Sequence, residues 1–243
     1  MRTLRILLIG VAILGVLFVV ADRVAVGFVE DEVASRLKTT QRLTSTPDVS
    51  IKGFPFLTQI AFGDLTDVKL TVAHYGADTG DGNRPSIRID DLKAHIKGVR
   101  FSSDYNSATA TTLTGTATIP YGELLKAAQS KPTHIVAGVT ARVVGLSDGG
   151  NGKIRAGVEF RTPLGTQIYG VVSSISVTGD EVKIHADNLP KLVNSLAEKQ
   201  LRSITDFRQR IDQLPSGMKV DRVRASKYGV EIAVRGSNVE LAE

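Results

Sequence analysis

The residues that could carry chemistry are few: four histidines, one pair of adjacent aspartates and a glycine-rich loop. The chain has no cysteine, which excludes disulfides, thiolate metal ligands and a cysteine nucleophile. Asp90 and Asp91 would supply two carboxylates for acid–base catalysis, but neighbours in a strand point to opposite faces, so we favour a β-bulge. No two histidines have zinc-site spacing, and we interpret all four as solvated: His74, His95, His134 and His185.

Glycine-rich segments and hydrolase motifs give no stronger signal. The chain has no G-x-S-x-G nucleophile elbow and no P-loop. The segment SDGGNGK (147–153) resembles a cation-binding loop only in outline and is explained as the turn of a β-hairpin. We therefore expect no catalytic residues, no metal, no cofactor and no enzymatic activity. A hydrolase of envelope lipids or glycans is the alternative to that expectation.

The segment SIKGFPFLTQIAFGD (50–64) carries unusual apolar bulk for a turn. Gly and Pro are typical of a surface turn, which is usually polar. In one interpretation, Phe54 and Phe56 both point inward and plug the core. In the other, the turn lies at the mouth of an apolar cavity or in a membrane interface, where it contacts acyl chains. The candidate lipid-binding residues are Lys52, which would meet a phosphate headgroup, and Phe54, Pro55, Phe56, Leu57 and Ile60.

A short apolar segment at the N-terminus predicts export. Residues 6–21 carry no charge and follow Arg2 and Arg5, which is the pattern of a secretory signal. Small residues before Asp22 suit a cleavage site. As an uncleaved anchor, the sixteen residues would span about 24 Å of helix, short of the ~30 Å hydrocarbon core. A cleaved signal and a retained anchor both place residues 22–243 outside the cytoplasmic membrane, either anchored on its outer face or periplasmic or secreted.

The charge balance is mildly basic. The formal net charge of +5 falls to +3 without residues 1–21, which hold two arginines and no acidic residue. This excess suits an anionic membrane surface and is too small to indicate nucleic acid as a partner.

Alternation of apolar and polar residues predicts an antiparallel, β-rich domain with one wet face. The apolar positions change from odd to even numbers at Asp90–Asp91, which predicts a β-bulge there. Hairpin turns are predicted at SDGGNG (147–152), TGDE (178–181) and KYG (227–229). The strand patterns lie around residues 68–72, 87–96, 113–119, 139–143, 154–160, 182–186 and 230–234.

Three segments have helical spacing. Residues 23–38 carry one apolar stripe directly after the N-terminal segment, and Pro120 opens PYGELLKAAQ (120–129). The segment from Leu189 to Pro215 carries an apolar stripe in two or three pieces, in which we interpret Ser203 and Asp206 as the N-cap of a restarted helix. Because no linker divides the chain, we expect one α+β domain over 22–243 behind the segment 1–21.

Several of these segments together resemble one protein family. They are ADRVAVGFVEDEVASRL with its preceding apolar run, TPDVSIKGFPFLTQI, DLTDVKLTV, IRIDDLKAHIKGVRF, PYGELLKAA, VGLSDGGNGKI, KIHADNLP and RSITDFRQRIDQLP. The chain resembles the actinobacterial LmeA-like phospholipid-binding family over nearly its whole length. The most specific segment is SIKGFPFLTQ.

This resemblance implies a fold and a function. The fold would be similar to tubular lipid-binding modules, in which a curved antiparallel sheet packs around amphipathic helices and leaves a lipid groove. The function would be phospholipid binding or transfer in the cell envelope, supporting assembly of lipomannan-type glycolipids, with phosphatidylinositol or phosphatidylethanolamine as ligands. The alternative is a non-catalytic scaffold for envelope glycosyltransferases. The resemblance supplies no catalytic or lipid-contact residues.

Whether the apolar walls close into a core or leave a groove depends on the residues between them. Small side chains that would hold the walls apart, and so make an apolar site for a lipid, are Gly115, Ala117, Ala141, Ala156 and Gly157.

Overall fold

The structure is a computed structural model, which describes residues 2–77, 87–128, 132–179, 181–189, 195–210 and 214–242. Within these ranges there are four helices: α1 (Arg2–Thr40), α2 (Phe56–Ala61), α3 (Tyr121–Ala128) and α4 (Ser195–Thr205). The strands there are β1 (Asp48–Lys52), β2 (Asp64–Ala77), β3 (Ile87–Phe101), β4 (Ala108–Pro120), β5 (Thr133–Val136), β6 (Val139–Asp148), β7 (Ile154–Thr162), β8 (Gly165–Thr178), β9 (Glu181–Ala186), β10 (Phe207–Arg210), β11 (Met218–Ala225) and β12 (Gly229–Ala242).

The strands form two antiparallel sheets of six strands each. The first sheet has the order β1-β2-β3-β4-β12-β11, and the second has the order β10-β9-β8-β7-β6-β5. The predicted antiparallel, β-rich character is confirmed, and the architecture includes a curled half-barrel sheet. The three predicted hairpins are confirmed as well, because they join β6 to β7, β8 to β9 and β11 to β12. The expectation of a single sheet is wrong, since the strands divide between two.

The predicted β-bulge at Asp90–Asp91 is confirmed. Asp91 has a positive φ of 51°. The pairing register between β3 and β4 shifts between Asp90 and Lys93. The extra residue moves the apolar side chains from odd to even positions and keeps them on one face of the first sheet.

One continuous helix replaces the two N-terminal segments expected from the sequence. Helix α1 runs through the apolar segment and the following stripe without interruption. It is long and apolar enough to cross a membrane, and its most apolar stretch is fully exposed. Beyond Asp22 the helix packs on the first sheet, where Val26 and Ala34 are buried. The helix therefore joins an exposed apolar half to a half that packs in the protein core.

The helix predicted between Leu189 and Pro215 ends early, and part of that prediction is wrong. Helix α4 stops at Thr205, and β10 follows, with Phe207 paired to Ile184 of β9. Asp206 does not cap a new helix, because its Oδ1 accepts a hydrogen bond from the Ala186 amide at 3.0 Å. Tertiary pairing with the sheet edge thus overrides the helical spacing. Positions 190–194 and 211–213 lie outside the described residues.

The two sheets pack against each other at one end through a shared cluster. Ile154 and Val182 of the second sheet belong to the same buried cluster as three residues of the first sheet, Val220, Val223 and Val230. Helix α3 lies beside this cluster and donates a hydrogen bond from the Tyr121 hydroxyl to the Ser226 carbonyl at 2.8 Å. At the opposite end, α1 and α2 cover the first sheet. Apolar contacts of this kind are the main stabilising term in the fold.

Candidate lipid-binding site

The chain leaves β1 through a turn that requires glycine. Gly53 has a φ of 111°, which side chains other than glycine rarely adopt. A Cβ atom at this position would lie 2.5 Å from Nε2 of Gln59. Gln59 in turn accepts hydrogen bonds at 2.8 Å from both the amide and the hydroxyl of Thr66. The turn is therefore held on the start of β2 while Phe54 and Pro55, joined by a cis peptide, lead into α2.

The two phenylalanines of this turn point in opposite directions. The side chain of Phe56 is 2% exposed and packs in the cluster formed by α1 and the first sheet, whereas Phe54 is 59% exposed. The interpretation in which both point inward is wrong for Phe54. The interpretation in which both contact acyl chains is wrong for Phe56, whose ring is buried, because helix α2 begins at Phe56 and ends the alternation of a strand. The sequence therefore assigned one orientation to two residues that have different ones.

The other candidate residues of the turn are distributed around the same helix. Leu57 is exposed, Pro55 is half-buried, and Ile60 packs partly on the α1 cluster. Lys52, the last residue of β1, is exposed beside the turn. Phe62, directly after α2, is 78% exposed and was not singled out from the sequence. Its place before Gly63, where a helix ends, is the signal that would have indicated an exposed position.

Helix α1 holds this turn through three polar side chains. Asp22 accepts a hydrogen bond from the Leu57 amide at 2.9 Å. Arg23 donates to the Gly53 carbonyl at 3.2 Å, and its guanidinium lies 5.5 Å from the centre of the Phe54 ring. Glu30 accepts a hydrogen bond from the Ile51 amide at 2.6 Å. These contacts satisfy backbone donors at the sheet edge and at the start of α2, which would otherwise lack partners.

The turn between β3 and β4 supports α2 from the other side. The Tyr105 hydroxyl donates to the Ile60 carbonyl at 2.8 Å, and the Tyr105 ring packs 5.8 Å from the ring of Phe101. Within the turn, hydrogen bonds from the Ser102 hydroxyl and from Asn106 lower the pKa of Asp104 to about 2. Because these donors stabilise the ionised carboxylate, Asp104 is charged at neutral pH and accepts hydrogen bonds within the turn.

A second surface feature lies over the middle of the first sheet. It is a concavity of about 280 Å³ across β2, β3 and β4. Leu70 pairs with Ala94, which pairs with Gly115, so these three share the face of the sheet on which Leu70 packs toward α1, whereas Lys69 and His95 lie on the other face. The lining residues are Lys69, Leu70, Thr71, Lys93, Ala94, His95, Thr114, Gly115 and Thr116.

The small residues named from the sequence do not share one location. Ala141 and Ala156 are buried, with Ala141 inside the cluster that α4 forms with the second sheet. Gly115 and Ala117 are half-buried on the first sheet, and Gly157 is half-buried on the second. Gly115 and Ala117 lie on one face of β4, whereas Ala156 and Gly157 are consecutive in β7 and lie on opposite faces, so the five residues do not form one wall.

The histidines occupy strand surfaces, and three of them have a carboxylate partner. His74 contacts Asp90 at 2.8 Å, and His95 contacts Asp67 at 2.6 Å. His134 is exposed on β5. His185 contacts Asp206 at 2.8 Å. Across the part of the chain that the structure describes, no three His, Asp or Glu side chains are grouped closely enough to hold a metal ion.

Comparison of the chain with models of protein families shows which family it belongs to. The model of the LmeA-like phospholipid-binding family matches residues 20–235, which include the turn, both sheets and the α1 residues that hold the turn. The chain belongs to the LmeA-like phospholipid-binding family. Membership supports phospholipids as ligands and indicates a binding protein of a non-catalytic type. A search of curated proteins and a search of solved structures each found no match.

Proposed function

We propose that this member of the LmeA-like family is a phospholipid-binding protein held at the outer face of the cytoplasmic membrane. Acyl chains contact Phe54 and Leu57 of the turn after β1, and Lys52 lies where it can meet the phosphate. The observation that carries the proposal is the exposed apolar turn, placed by α1 at the end of a membrane-compatible segment in a chain of a phospholipid-binding family. Exposed aromatic side chains beside a cation suit a lipid with an anionic headgroup.

The continuation of the lipid site is proposed along the first sheet. On the face that carries α1, the apolar residues Leu92, Ala117, Ile119 and Val234 are only half-buried. Gly115, which pairs with Val234, adds no side chain to this strip. Small residues between α1 and the second sheet leave room for an apolar ligand, which is the arrangement of a lipid groove. This supports the similarity to tubular lipid-binding modules that we propose for the fold.

The cellular role that follows is delivery or presentation of phospholipids, with phosphatidylinositol and phosphatidylethanolamine as the ligands to test first. The process that the family resemblance implies is the assembly of lipomannan-type lipoglycans. A protein that holds a phospholipid at the membrane surface would support their assembly without performing any chemical step.

Native mass spectrometry of the full-length protein, released from membranes in mild detergent, tests this function. We expect mass increments that correspond to one bound phospholipid, and we expect them to decrease in the double variant F54A/L57A. The matched control is Y228A, which removes another exposed aromatic side chain from the turn between β11 and β12. Absence of lipid together with absence of binding to liposomes would favour a scaffold for glycosyltransferases instead.

A further inference from the structure

The charged residue that ends the apolar segment is hidden inside the protein. Asp22 has 0% exposure although it follows sixteen uncharged residues of α1. Its Oδ1 accepts a hydrogen bond from the Leu57 amide, and its Oδ2 accepts one from Nε of Arg23 at 3.2 Å. A carboxylate without partners would be costly at the edge of a hydrocarbon layer, but one that is paired and hydrogen-bonded is tolerated. The turn after β1 therefore covers the group that would otherwise limit how deeply α1 enters a bilayer.

The apolar surface of α1 continues beyond this point. Val24 and Phe28 are exposed on the helix, on the side away from Asp22. Counting from residue 6 to Phe28 gives 23 residues, or about 34 Å of helix, compared with a hydrocarbon core of ~30 Å. The uncharged segment spans most of the hydrocarbon core, and the apolar face of α1 beyond Asp22 continues into the boundary between acyl chains and headgroups.

Hydrogen bonds fix the direction of the first sheet relative to the membrane. Glu30 bonds to Ile51 and Arg23 bonds to Gly53, so β1 runs antiparallel to α1 and its end points toward the apolar segment. The first residue of β2, Asp64, lies three residues past the partner of Lys52 in that same direction, or about 10 Å farther. Phe62 precedes this strand, and the turn after β3 lies at the same end of the strands.

We propose that α1 is retained as an anchor and that an apolar collar around its exit point is embedded in the headgroup–acyl boundary of the bilayer. The collar consists of exposed residues from α1, the turn, the end of α2 and the turn after β3: Val24, Phe28, Phe54, Leu57, Phe62 and Tyr105. Asp22 joins the collar to the anchor by binding the start of α2.

The bilayer is the occupant that the positions of these residues favour, because the collar is continuous with a segment long and apolar enough to span it. Aromatic side chains are enriched at the boundary between headgroups and acyl chains, where a partly polar surface meets apolar chains. Arg23 and Lys52 beside the collar supply cations at the level of the phosphates. This inference deepens the proposed function by making the lipid-contact turn part of the membrane anchor.

Single tryptophans measure the depth of the collar directly, because the chain has no tryptophan of its own. We would introduce F54W, F62W and, as the matched control, Y228W into the full-length protein in phosphatidylcholine–phosphatidylinositol vesicles. Tyr228 is exposed at the far end of the sheet, next to the residue paired with Pro120, about 40 Å from the start of β4. Brominated phosphatidylcholine should quench most of the emission of F54W and F62W and leave that of Y228W unchanged.

The role of Asp22 is tested in the F54W background. Adding D22A should reduce the quenching, because the Leu57 amide and Arg23 lose their partner and the turn is released from α1. Adding E32A, which removes an exposed carboxylate from the same helix, should leave the quenching unchanged. Equal quenching in both double variants would overturn the proposed role of Asp22.

Two further outcomes would overturn the collar. F54W and F62W that escape quenching, in a protein that a bifunctional amine-reactive reagent cross-links into dimers, would show that a second chain covers the surface. Membrane-bound protein whose intact mass lacks residues 1–21 would show that the anchor is cleaved. Failure of the proposed function is distinguishable, because absence of bound phospholipid in native mass spectrometry with intact quenching leaves the collar standing and removes lipid binding.

Discussion

The opposite orientations of Phe54 and Phe56 give a prediction in which two similar substitutions have different effects. F56A removes a side chain that is 2% exposed in the α1 cluster, and F54A removes one that is 59% exposed. We expect F56A to lower the stability of the fold and F54A to lower the affinity for lipid. The pair controls for itself, because both variants delete the same ring within three residues of sequence.

The magnitudes follow from burial. A Phe→Ala change in a packed core costs about 3–5 kcal/mol, and in a chain of this size each kcal/mol lowers the melting temperature by roughly 2–4 °C. F54A loses the exposed contact with Arg23, which is worth about 0.5–1 kcal/mol. Covering the exposed 59% of Phe54 by lipid is worth about 1–2 kcal/mol, given ~1.5–3 kcal/mol for a whole side chain. That corresponds to roughly a five- to thirtyfold change in Kd.

The assay measures both quantities on the full-length protein. Melting curves in detergent give the stability, and titration with phosphatidylinositol-containing liposomes gives the affinity. The reasoning is refuted if F54A lowers the melting temperature as much as F56A does while its lipid affinity equals that of the unsubstituted protein. In that case Phe54 would be a structural side chain, and the turn would be apolar for packing alone.

Three other predictions concern pH, compartment and histidine. Ser102 and Asn106 lower the pKa of Asp104 to about 2. The contribution of Asp104 to stability is therefore present above its unfolded pKa of 3.8 and is lost as the pH falls toward 2. We expect D104N to flatten the fall in unfolding free energy between about pH 4 and 2. Of two reporter enzymes fused after residue 243, one that works only outside the cytoplasm should be active, and one that works only in the cytoplasm should be inactive. Activity of the cytoplasmic reporter alone would contradict export. No single substitution of a histidine should abolish function in a protein that stays folded, and a loss of activity at unchanged melting temperature would revive the enzyme alternative; the positions are His74, His95, His134 and His185.

Features that depend on neighbours along the chain were predictable from the sequence. Alternation identified the long strands, because each has one apolar face and one wet face. The same alternation located the bulge at Asp90–Asp91, where the odd and even positions change over. The turn SDGGNG was predictable because glycine and asparagine supply the positive φ that tight hairpins need, and Gly150, Asn151 and Gly152 all adopt it.

Features that depend on distant residues were not predictable. Phe207 continues a helical pattern, but it forms a strand because β9 offers an unpaired edge and Asp206 bonds across to it. Asp22 and Leu57 are separated by 35 positions, and no local pattern announces their contact. The orientation of Phe54 depends on that contact as well, since α1 fixes where the turn lies. The segment of the proposed lipid site was therefore recognisable from the sequence, whereas its exposed and buried side chains required the structure.

Photo-crosslinking at position 54 tests the central claim most directly. The photoreactive residue p-benzoylphenylalanine would replace Phe54 in one variant and Tyr228 in the control, each in full-length protein within phospholipid membranes. We predict that the label at position 54 forms an adduct with the mass of a phospholipid and that the label at position 228 forms none. Absence of a phospholipid adduct at position 54, or equal yields at the two positions, would contradict the assignment of this turn as the lipid-binding site.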